Sequence, residues 1–244
     1  MNDAAAAPPA SRSRKLPELS AFFPAFNERD NLERMVESLR RVLPQVSERF
    51  EIVIVDDGSA DGTSQLADQL ASRHPEVRAV HHTRNLGYGA AVRSGLSACR
   101  YQAIFFTDGD CQFDVGEVGL LVPYLGAYDI VTGYRRQRQD DAVRRLYSRG
   151  WTWLIGRLTG ARVRDLNCAF KLFRREAVED LELVTNGAMI NAELLALAKR
   201  RGRTIAEVPV HHYPRVHGQQ TGGNPRVILR AFWELLRFTL RSRR

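Results

Sequence analysis

The sequence has few cysteines and no long apolar segment. Its three cysteines, Cys99, Cys111 and Cys168, have no metal-type spacing, and an odd number cannot form a complete disulfide framework. This usage favours a reducing cytosol. No charge-free run approaches the roughly 20 apolar residues that a membrane-spanning helix needs. We therefore expect a cytoplasmic protein that is soluble or held peripherally at the cytoplasmic face of a membrane.

The beginning of the chain lacks the long apolar core of a signal peptide. It reads MNDAAAAPPASRSRK, a composition that predicts a disordered tail over residues 1–17. With 244 residues, the chain is long enough for one large domain. We expect that folded domain over residues 18–225, followed by an amphipathic basic helix over residues 226–244.

Acidic residues are outnumbered by basic ones. The chain has 36 Lys and Arg against 28 Asp and Glu, which gives a formal net charge of +8 and a pI near 9.8. A positive balance favours partners that carry phosphate, such as a nucleotide or an anionic membrane surface. The alternative is a compositional bias towards arginine. Because no aromatic-rich RNA motif or zinc finger is present, we do not expect a nucleic-acid partner.

Short apolar runs alternate with helical patterns along the first half of the chain, and the second half is less regular. This alternation predicts an α/β fold with a mostly parallel central sheet and helices on both faces. The predicted strands cover residues 19–26, 50–55, 77–82, 101–106, 128–133, 167–174 and 203–210. The predicted helices cover residues 30–43, 62–73, 88–99, 115–125, 143–158 and 187–200.

Three charged loops follow predicted strands. They are PAFNERD (24–30), DDGSADGT (56–63) and TDGDCQFD (107–114). Because ligands of open α/β sheets bind beyond the carboxyl ends of the strands, we expect these loops to form one site.

Two carboxylates one residue apart end the fourth predicted strand. Asp108 and Asp110 point to the same side of an extended segment, and like charges so close repel each other unless a cation lies between them. Paired carboxylates suit a hard cation such as Mg²⁺ or Mn²⁺, with Gln112 as a further oxygen ligand. A surface Asp-Gly turn is the structural alternative.

Two other motifs match only in part. Residues 57–68 have an EF-hand-like acid spacing, but the preceding FEIVIV is a strand pattern rather than a helix. A tight turn at Gly58, with Asp61 or Thr63 capping the next helix, accounts for that loop better. TDGDCQ also approaches the DxDxT loop of aspartyl-phosphate phosphatases, but Gln112 stands where Thr is required.

The motifs taken together resemble a known family. FFPAFNERDNL, EIVIVDDGSADGT, RNLGYGAAVRSGL and FFTDGDCQ occur in this order, and IVTGYR, VRDLNCAFKLFRR and AEVPVHHYPRVHG follow. Over residues 19–225 the chain resembles family 2 glycosyltransferases with the GT-A fold, most closely the dolichol-phosphate mannose synthase group. That group glycosylates polyprenyl phosphates.

The resemblance implies a set of site residues. The sequence departs from the common family pattern at Phe26, where Tyr is frequent, and at Gly109, where Ala is frequent. The nucleotide-sugar contacts that it implies are Pro24, Phe26, Glu28, Asp56, Asp57, Arg84, Asp108 and Asp110. The metal ligands are Asp108, Asp110 and Gln112, and the catalytic residues are Asp110, Arg135 and Arg215. The acceptor-phosphate contacts are Arg135, Arg144 and Ser148, and His217 and Gln220 join Arg215 in a late loop.

The implied activity is metal-dependent inverting transfer of a sugar from GDP-mannose or a UDP-hexose to a polyprenyl phosphate. A phosphate acceptor is already ionised and needs no general base, whereas a hydroxyl acceptor does. A second hypothesis is therefore a soluble hydroxyl acceptor, with Asp165 or Glu193 as the base. A third is a non-enzymatic module that binds nucleotide or nucleic acid.

A lipid acceptor requires contact with a membrane. WTWLIGRL (151–158) offers interfacial tryptophans, and the closing helix combines an apolar stripe with arginines. The alternative is a terminal helix docked on the domain. We interpret Cys168 as a packing residue and expect no metal ligation by His81, His82, His211 or His212.

Overall fold

Seven strands of the described chain form one sheet. The computed structural model describes residues 15–136, 150, 156–157, 160, 163–215, 233–235 and 237–238. The strands are β1 (Leu16–Ala25), β2 (Ser47–Asp56), β3 (Val77–His81), β4 (Ala103–Thr107), β5 (Ile130–Arg135), β6 (Phe170–Arg174) and β7 (Ile205–Val210). Their order across the sheet is β3-β2-β1-β4-β6-β5-β7. Only β6, among these seven, runs antiparallel to its neighbours.

Helices connect most of these strands. The described α-helices are α1 (Arg29–Val46), α2 (Thr63–Arg73), α3 (Tyr88–Ala98), α4 (Val118–Leu121) and α5 (Ile190–Arg200). The sequence predicts one helix over residues 115–125, but α4 is flanked there by two 3₁₀ turns, Val115–Glu117 and Val122–Tyr124. Pro123 lies in the second turn, and because proline has no backbone N–H it cannot continue an α-helical hydrogen-bond pattern. The predicted helix over 143–158 falls almost entirely outside the described residues.

The core lies on both faces of the sheet. All five residues of β4 are buried, as are consecutive residues of β1 and β2. Phe22 and Phe106 stack with their ring centroids 5.0 Å apart, and Phe105 meets Phe170 edge to face at 4.9 Å. Continuous apolar strands of this kind are typical of parallel sheets covered on both sides. The predicted fold class, a mostly parallel α/β sheet with helices, is confirmed.

The reversed direction of β6 places its neighbouring segments at the functional edge. Phe170 pairs with Thr107, and Lys171 pairs with Phe106 on one side and Thr132 on the other. Because β6 runs against β4, its amino end lies beside the carboxyl end of β4. The segment that precedes β6, which contains Asp165, therefore reaches the same edge as Asp108.

Two described residues of the closing segment pack on the domain. Leu235 and Phe238 are buried in the core, and the Arg200 guanidinium lies 5.1 Å from the centre of the Phe238 ring. Trp233, by contrast, is 60% exposed. Among the described residues, no helix is both long enough and apolar enough to cross a bilayer.

Candidate active site at the carboxyl edge of the sheet

Hydrogen bonds lock together the loops that follow β1 and β2. The Asp57 N–H donates to the Ala25 carbonyl at 2.9 Å, and the Asn27 N–H donates to Ser59 Oγ at 2.9 Å. The Ala60 N–H donates in return to Asn27 Oδ1 at 3.0 Å. Asn27 has a positive φ of 55°, which asparagine tolerates better than most residues. The two loops therefore form one rigid rim.

Asp57 fixes a third loop against this rim. Its carboxylate accepts the backbone N–H groups of Leu86 and Gly87, both at 2.9 Å, and contacts His82 Nδ1 at 2.7 Å. Gly58 allows this approach, because a Cβ atom there would lie 2.3 Å from the carbonyl carbon of Arg84. The loop that carries Arg84 is thus held at the rim, as the predicted site requires.

Asp56 is buried among hydrogen-bond donors. It accepts from the Ser59 N–H at 3.1 Å, from Ser64 Oγ at 2.5 Å and from His81 Nδ1 at 3.0 Å. Burial raises the pKa of Asp56, but these hydrogen bonds outweigh it and hold the pKa below its ordinary value. Asp61 accepts from the Thr63 N–H at 3.0 Å and stabilises the start of α2. These contacts form a hydrogen-bonded strand-to-helix turn rather than an EF-hand.

Asp108 and Asp110 lie together at the end of β4. Burial, followed by the negative charge of Asp110, raises the pKa of Asp108 to about 7. Burial also raises the pKa of Asp110. The Gln112 N–H, which donates to Asp110 Oδ1 at 3.1 Å, offsets part of this rise. Two carboxylates held this close present hard oxygen donors that fit Mg²⁺ or Mn²⁺. No group of three acid, histidine or cysteine side chains forms a metal site in the described ranges.

Two further side chains, Tyr88 and Lys171, act on Asp108, and the motifs that contain them gave neither a role. The Tyr88 hydroxyl donates to Asp108 Oδ1 at 2.8 Å. Lys171 is fully buried, and this burial lowers its pKa to about 8. Its Nζ donates to the Cys168 carbonyl and to Asn191 Oδ1. A lysine in an apolar strand pattern is easily taken as a solvent-facing residue, and only the position of β6 reveals that it points inward.

A late segment of the chain returns to the loop after β4 (residues 108–114). Gln112 Nε2 donates to the Tyr213 carbonyl at 2.9 Å, and the Tyr213 N–H donates to the Gln112 carbonyl at 2.7 Å. Phe113 and His212 form an antiparallel bridge beside them. This pairing carries Arg215 to Glu28, with which it forms an ion pair. The charge of Arg215 also partly offsets the rise in the pKa of Asp110 that burial causes.

Arg135 is oriented by Asp165. Arg135 Nε and Nη2 donate to the two oxygens of Asp165 at 2.6 and 3.0 Å, a bidentate pair. The charge of Arg135 reaches Asp108, whose pKa it lowers. Glu193 is buried elsewhere, with its carboxylate accepting the N–H groups of Val184 and Thr185. Both side chains considered as bases for a hydroxyl acceptor are therefore engaged in structural contacts.

The remaining predicted residues divide into three groups. Pro24 is the penultimate residue of β1 and lies beside Gly109, while Phe26, which is 46% exposed, and Arg84 lie at the surface of the rim. Cys168 is fully buried, as its interpretation as a packing residue requires. Outside the described residues lie Arg144, Ser148, His217 and Gln220.

The four histidines that we expected not to bind metal have other partners. His81 lies between Asp56 and Asp68, and His82 lies between Asp57 and Ser94. His211 contacts Glu117, and His212 meets the Phe113 ring edge to face.

This sheet order, with acidic loops converging at its carboxyl edge, defines a GT-A type of fold. The sequence also matches the family model described as "Glycosyl transferase family 2" over residues 20–182. The match covers more than half of the chain, and the chain belongs to this family. The predicted family is thereby confirmed.

Curated relatives extend the comparison. An undecaprenyl-phosphate 4-deoxy-4-formamido-L-arabinose transferase of Pseudomonas fluorescens is 31% identical over 212 residues, which cover 86% of this chain and 61% of the relative. A dodecaprenyl-phosphate galacturonate synthase of Rhizobium johnstonii is 31% identical over 205 residues, which cover 82% of this chain and 60% of the relative. The chain thus spans about three fifths of the length of these relatives.

A solved structure supports the fold. Glucosyl-3-phosphoglycerate synthase from Mycobacterium tuberculosis, in complex with Mn²⁺, uridine diphosphate and glucosyl-3-phosphoglycerate, aligns with a TM-score of 0.70. The alignment covers 93% of this chain and 80% of that one at 22% sequence identity. At this identity the likeness concerns the fold alone.

Proposed function

We propose that this chain is a metal-dependent inverting glycosyltransferase that moves a sugar from GDP-mannose or a UDP-hexose to a polyprenyl phosphate. The observation that carries the proposal is the partly buried Asp108–Asp110 pair, with Arg135 and Arg215 near enough that their charges partly offset the rise in the carboxyl pKa values. Such a site offers oxygen ligands for a cation and guanidinium groups for phosphates. Both are needed where a diphosphate leaves a sugar.

The donor occupies the rim formed by the loops after β1, β2 and β3. Phe26 presents an exposed aromatic face that can pack against a nucleotide base. Arg84 is held beside it by the contacts between Asp57 and the loop. Glu28 and Pro24, near the end of β1, complete the proposed donor contacts. Asp56 supports their position from the end of the neighbouring strand β2.

Asp108 and Asp110, with Gln112 as a further oxygen ligand, hold the cation in this proposal. When bound, Mg²⁺ or Mn²⁺ neutralises the charge that develops on the diphosphate. Arg215 reaches the same charge from the late segment, so it stabilises the leaving group and covers the donor. Its ion pair with Glu28 ties the late segment to the donor rim.

The proposed acceptor is a polyprenyl phosphate, a class of compound that the names of both relatives contain. Among the described cations, Arg135 is suited to bind this phosphate. A guanidinium binds phosphate oxygens bidentately, and Asp165 fixes the plane of the Arg135 guanidinium. The acceptor phosphate is ionised at neutral pH and attacks the anomeric carbon directly. A single displacement inverts the anomeric configuration and needs no general base.

Product formation tests this proposal. The purified chain is incubated with UDP- and GDP-sugars, Mn²⁺ and a short polyprenyl phosphate, and the lipid product is detected by mass spectrometry. We expect a glycosyl phospholipid of inverted configuration from one donor. Transfer to a soluble hydroxyl acceptor without lipid would favour the second hypothesis, and a product of retained configuration would contradict the single displacement.

A further inference from the structure

A line of polar side chains leads from the interior of the domain to the metal loop. Lys171 Nζ donates to Asn191 Oδ1 at 3.1 Å, and the Asn191 side chain lies near enough to the Tyr88 hydroxyl to act on its pKa. The Tyr88 hydroxyl donates in turn to Asp108 Oδ1 at 2.8 Å. Lys171 and Asn191 are buried, and Tyr88 is half-buried. The three come from β6, α5 and α3, so three separate elements converge on one carboxylate oxygen.

The chemistry of the two ends fixes the direction of every hydrogen bond in this line. A lysine ammonium group only donates, and an ionised carboxylate only accepts. The oxygen of Asn191 therefore faces Lys171, and its amide nitrogen is left for the side of Tyr88. The Tyr88 hydroxyl directs its own proton to Asp108 Oδ1.

We propose that Tyr88 is a positioning residue for cation binding: held by Asn191 and Lys171, it fixes Asp108 through Oδ1 so that Oδ2 takes the cation. The inference rests on the proposed function, in which Asp108 is a metal ligand. Asp108 Oδ2 accepts no hydrogen bond from the part of the chain that is described, so the two oxygens of this carboxylate have different surroundings.

The separation of Lys171 from Asp108 has a physical consequence. An ammonium group in direct contact with the carboxylate would compete with a divalent cation for the same oxygens. Because Asn191 and Tyr88 lie between them, Lys171 helps to orient the Asp108 carboxylate and leaves its oxygens available to the cation. Partners that orient a metal ligand typically change metal affinity 10- to 100-fold when they are removed.

The first test removes the Tyr88 hydroxyl alone. Tyr88→Phe keeps the ring, which lies 6.5 Å from that of Phe106, and loses only the donor. Binding of Mn²⁺ to the purified full chain is measured by electron paramagnetic resonance, for Mn²⁺ alone and with UDP or GDP. We expect about 10- to 100-fold weaker binding. Tyr124→Phe is the matched control, because Tyr124 packs against Tyr128 away from this line, and its Mn²⁺ binding is expected to stay native.

The second test reverses one hydrogen bond. Asn191→Asp keeps an acceptor for Lys171 but has no N–H for Tyr88, whose hydroxyl then donates to the new carboxylate instead of Asp108. The added negative charge would by itself strengthen Mn²⁺ binding, so a loss similar to that of Tyr88→Phe supports the positioning role. In the double variant only the effect of the added charge remains, so it should bind Mn²⁺ no more weakly than Tyr88→Phe alone, and additive losses would overturn the proposal.

The outcomes separate this inference from the proposed function. If the native chain binds no Mn²⁺ with either nucleotide, the metal site itself is wrong and the inference falls with it. If the native chain binds Mn²⁺ and Tyr88→Phe binds it equally well, only the positioning role is wrong. A purely structural role for Tyr88 would lower the thermal midpoint and the nucleotide affinity in EDTA. We expect both to remain native.

Discussion

Asp108 shows how burial and a second charge act on the same carboxyl group. Its pKa is raised from 3.8 to about 7, so folding favours the protonated form. The resulting stabilisation of the metal-free protein is complete below pH 3.8 and is lost as the pH rises through about 7. A divalent cation acts in the opposite direction, because it binds the ionised carboxylate. Proton and cation therefore compete for this residue.

This competition predicts a pH dependence of Mn²⁺ binding. Above about pH 7.5 the apparent affinity should change little, because Asp108 is already ionised. Below about pH 7 each bound ion must displace a proton, and we expect affinity to fall about tenfold per pH unit. Titration calorimetry at about pH 6 and pH 8 measures the difference, and equal affinities would contradict the raised pKa.

Removing both negative charges tests the assignment of the metal loop. The double variant Asp108→Asn/Asp110→Asn keeps the size of both side chains, and we expect it to lower sugar transfer more than about a hundredfold. Asp114→Asn is the control, since that exposed residue only accepts the Gly116 N–H at 2.9 Å. Full transfer by the double variant would remove the loop from the reaction. Under the third hypothesis, nucleic-acid binding would persist in both variants.

His81 gives a stability prediction of the same sign as Asp108, with a different cause. Burial lowers its pKa, but the hydrogen bonds to Asp56 and Asp68 outweigh this and raise it above 6.5. Its contribution to stability is therefore complete below pH 6.5 and disappears as the pH rises through the folded-state value. In urea unfolding, His81→Asn should cost up to about 1 kcal/mol more at about pH 5.5 than at pH 8.5, because this partly exposed pair is screened. A pH-independent cost would show that the histidine acts through packing.

At the scale of elements, the strand-to-loop junctions determine the shape of the site. The turn at Gly58 is the tightest described case, because its φ of +73° and its contact with Arg84 both exclude a side chain. Asp57 can accept the N–H groups of Leu86 and Gly87 only when this turn and that loop touch. One glycine thus couples β2 to the segment before α3.

We predict that Gly58→Ala lowers stability by at least about 2 kcal/mol, from left-handed backbone strain together with steric overlap. It should also weaken nucleotide binding, because the loop that carries Arg84 must move. Gly126→Ala is the control: nothing lies within 4 Å of its added Cβ, and we expect a change below about 1 kcal/mol. Denaturant unfolding and nucleotide titration measure the two effects, and equal behaviour of both variants would refute the contact.

At the scale of the whole molecule, the net charge of +8 and the proposed lipid acceptor favour contact with an anionic membrane surface. Co-sedimentation with phosphatidylglycerol vesicles tests this. We expect binding at low ionic strength that is lost at about 0.5 M salt and is absent with neutral phosphatidylcholine. Trp233→Ser should reduce binding if the exposed face of the closing segment inserts. Equal recovery in the supernatant with and without anionic lipid would contradict membrane binding.

The sequence by itself determined the sheet, the family and the three acidic loops. Apolar runs of strand length alternate with helical periods, and both are local properties of the chain. Acids after β1, β2 and β4 could be placed at one edge because parallel strands share a direction. The prediction of a metal site at Asp108 and Asp110 also rests on the sequence alone, since alternation along an extended segment needs no tertiary information.

Only the tertiary structure decided how this edge is supported. Tyr88, Asn191 and Lys171 come from three separate elements, and nothing in their local sequence predicts that they meet beneath Asp108. The antiparallel direction of β6 brings Lys171 and Asp165 to the site, and the pairing of Gln112 with Tyr213 brings Arg215. These contacts join residues far apart in the chain, so they depend on strand order and packing rather than on local periodicity.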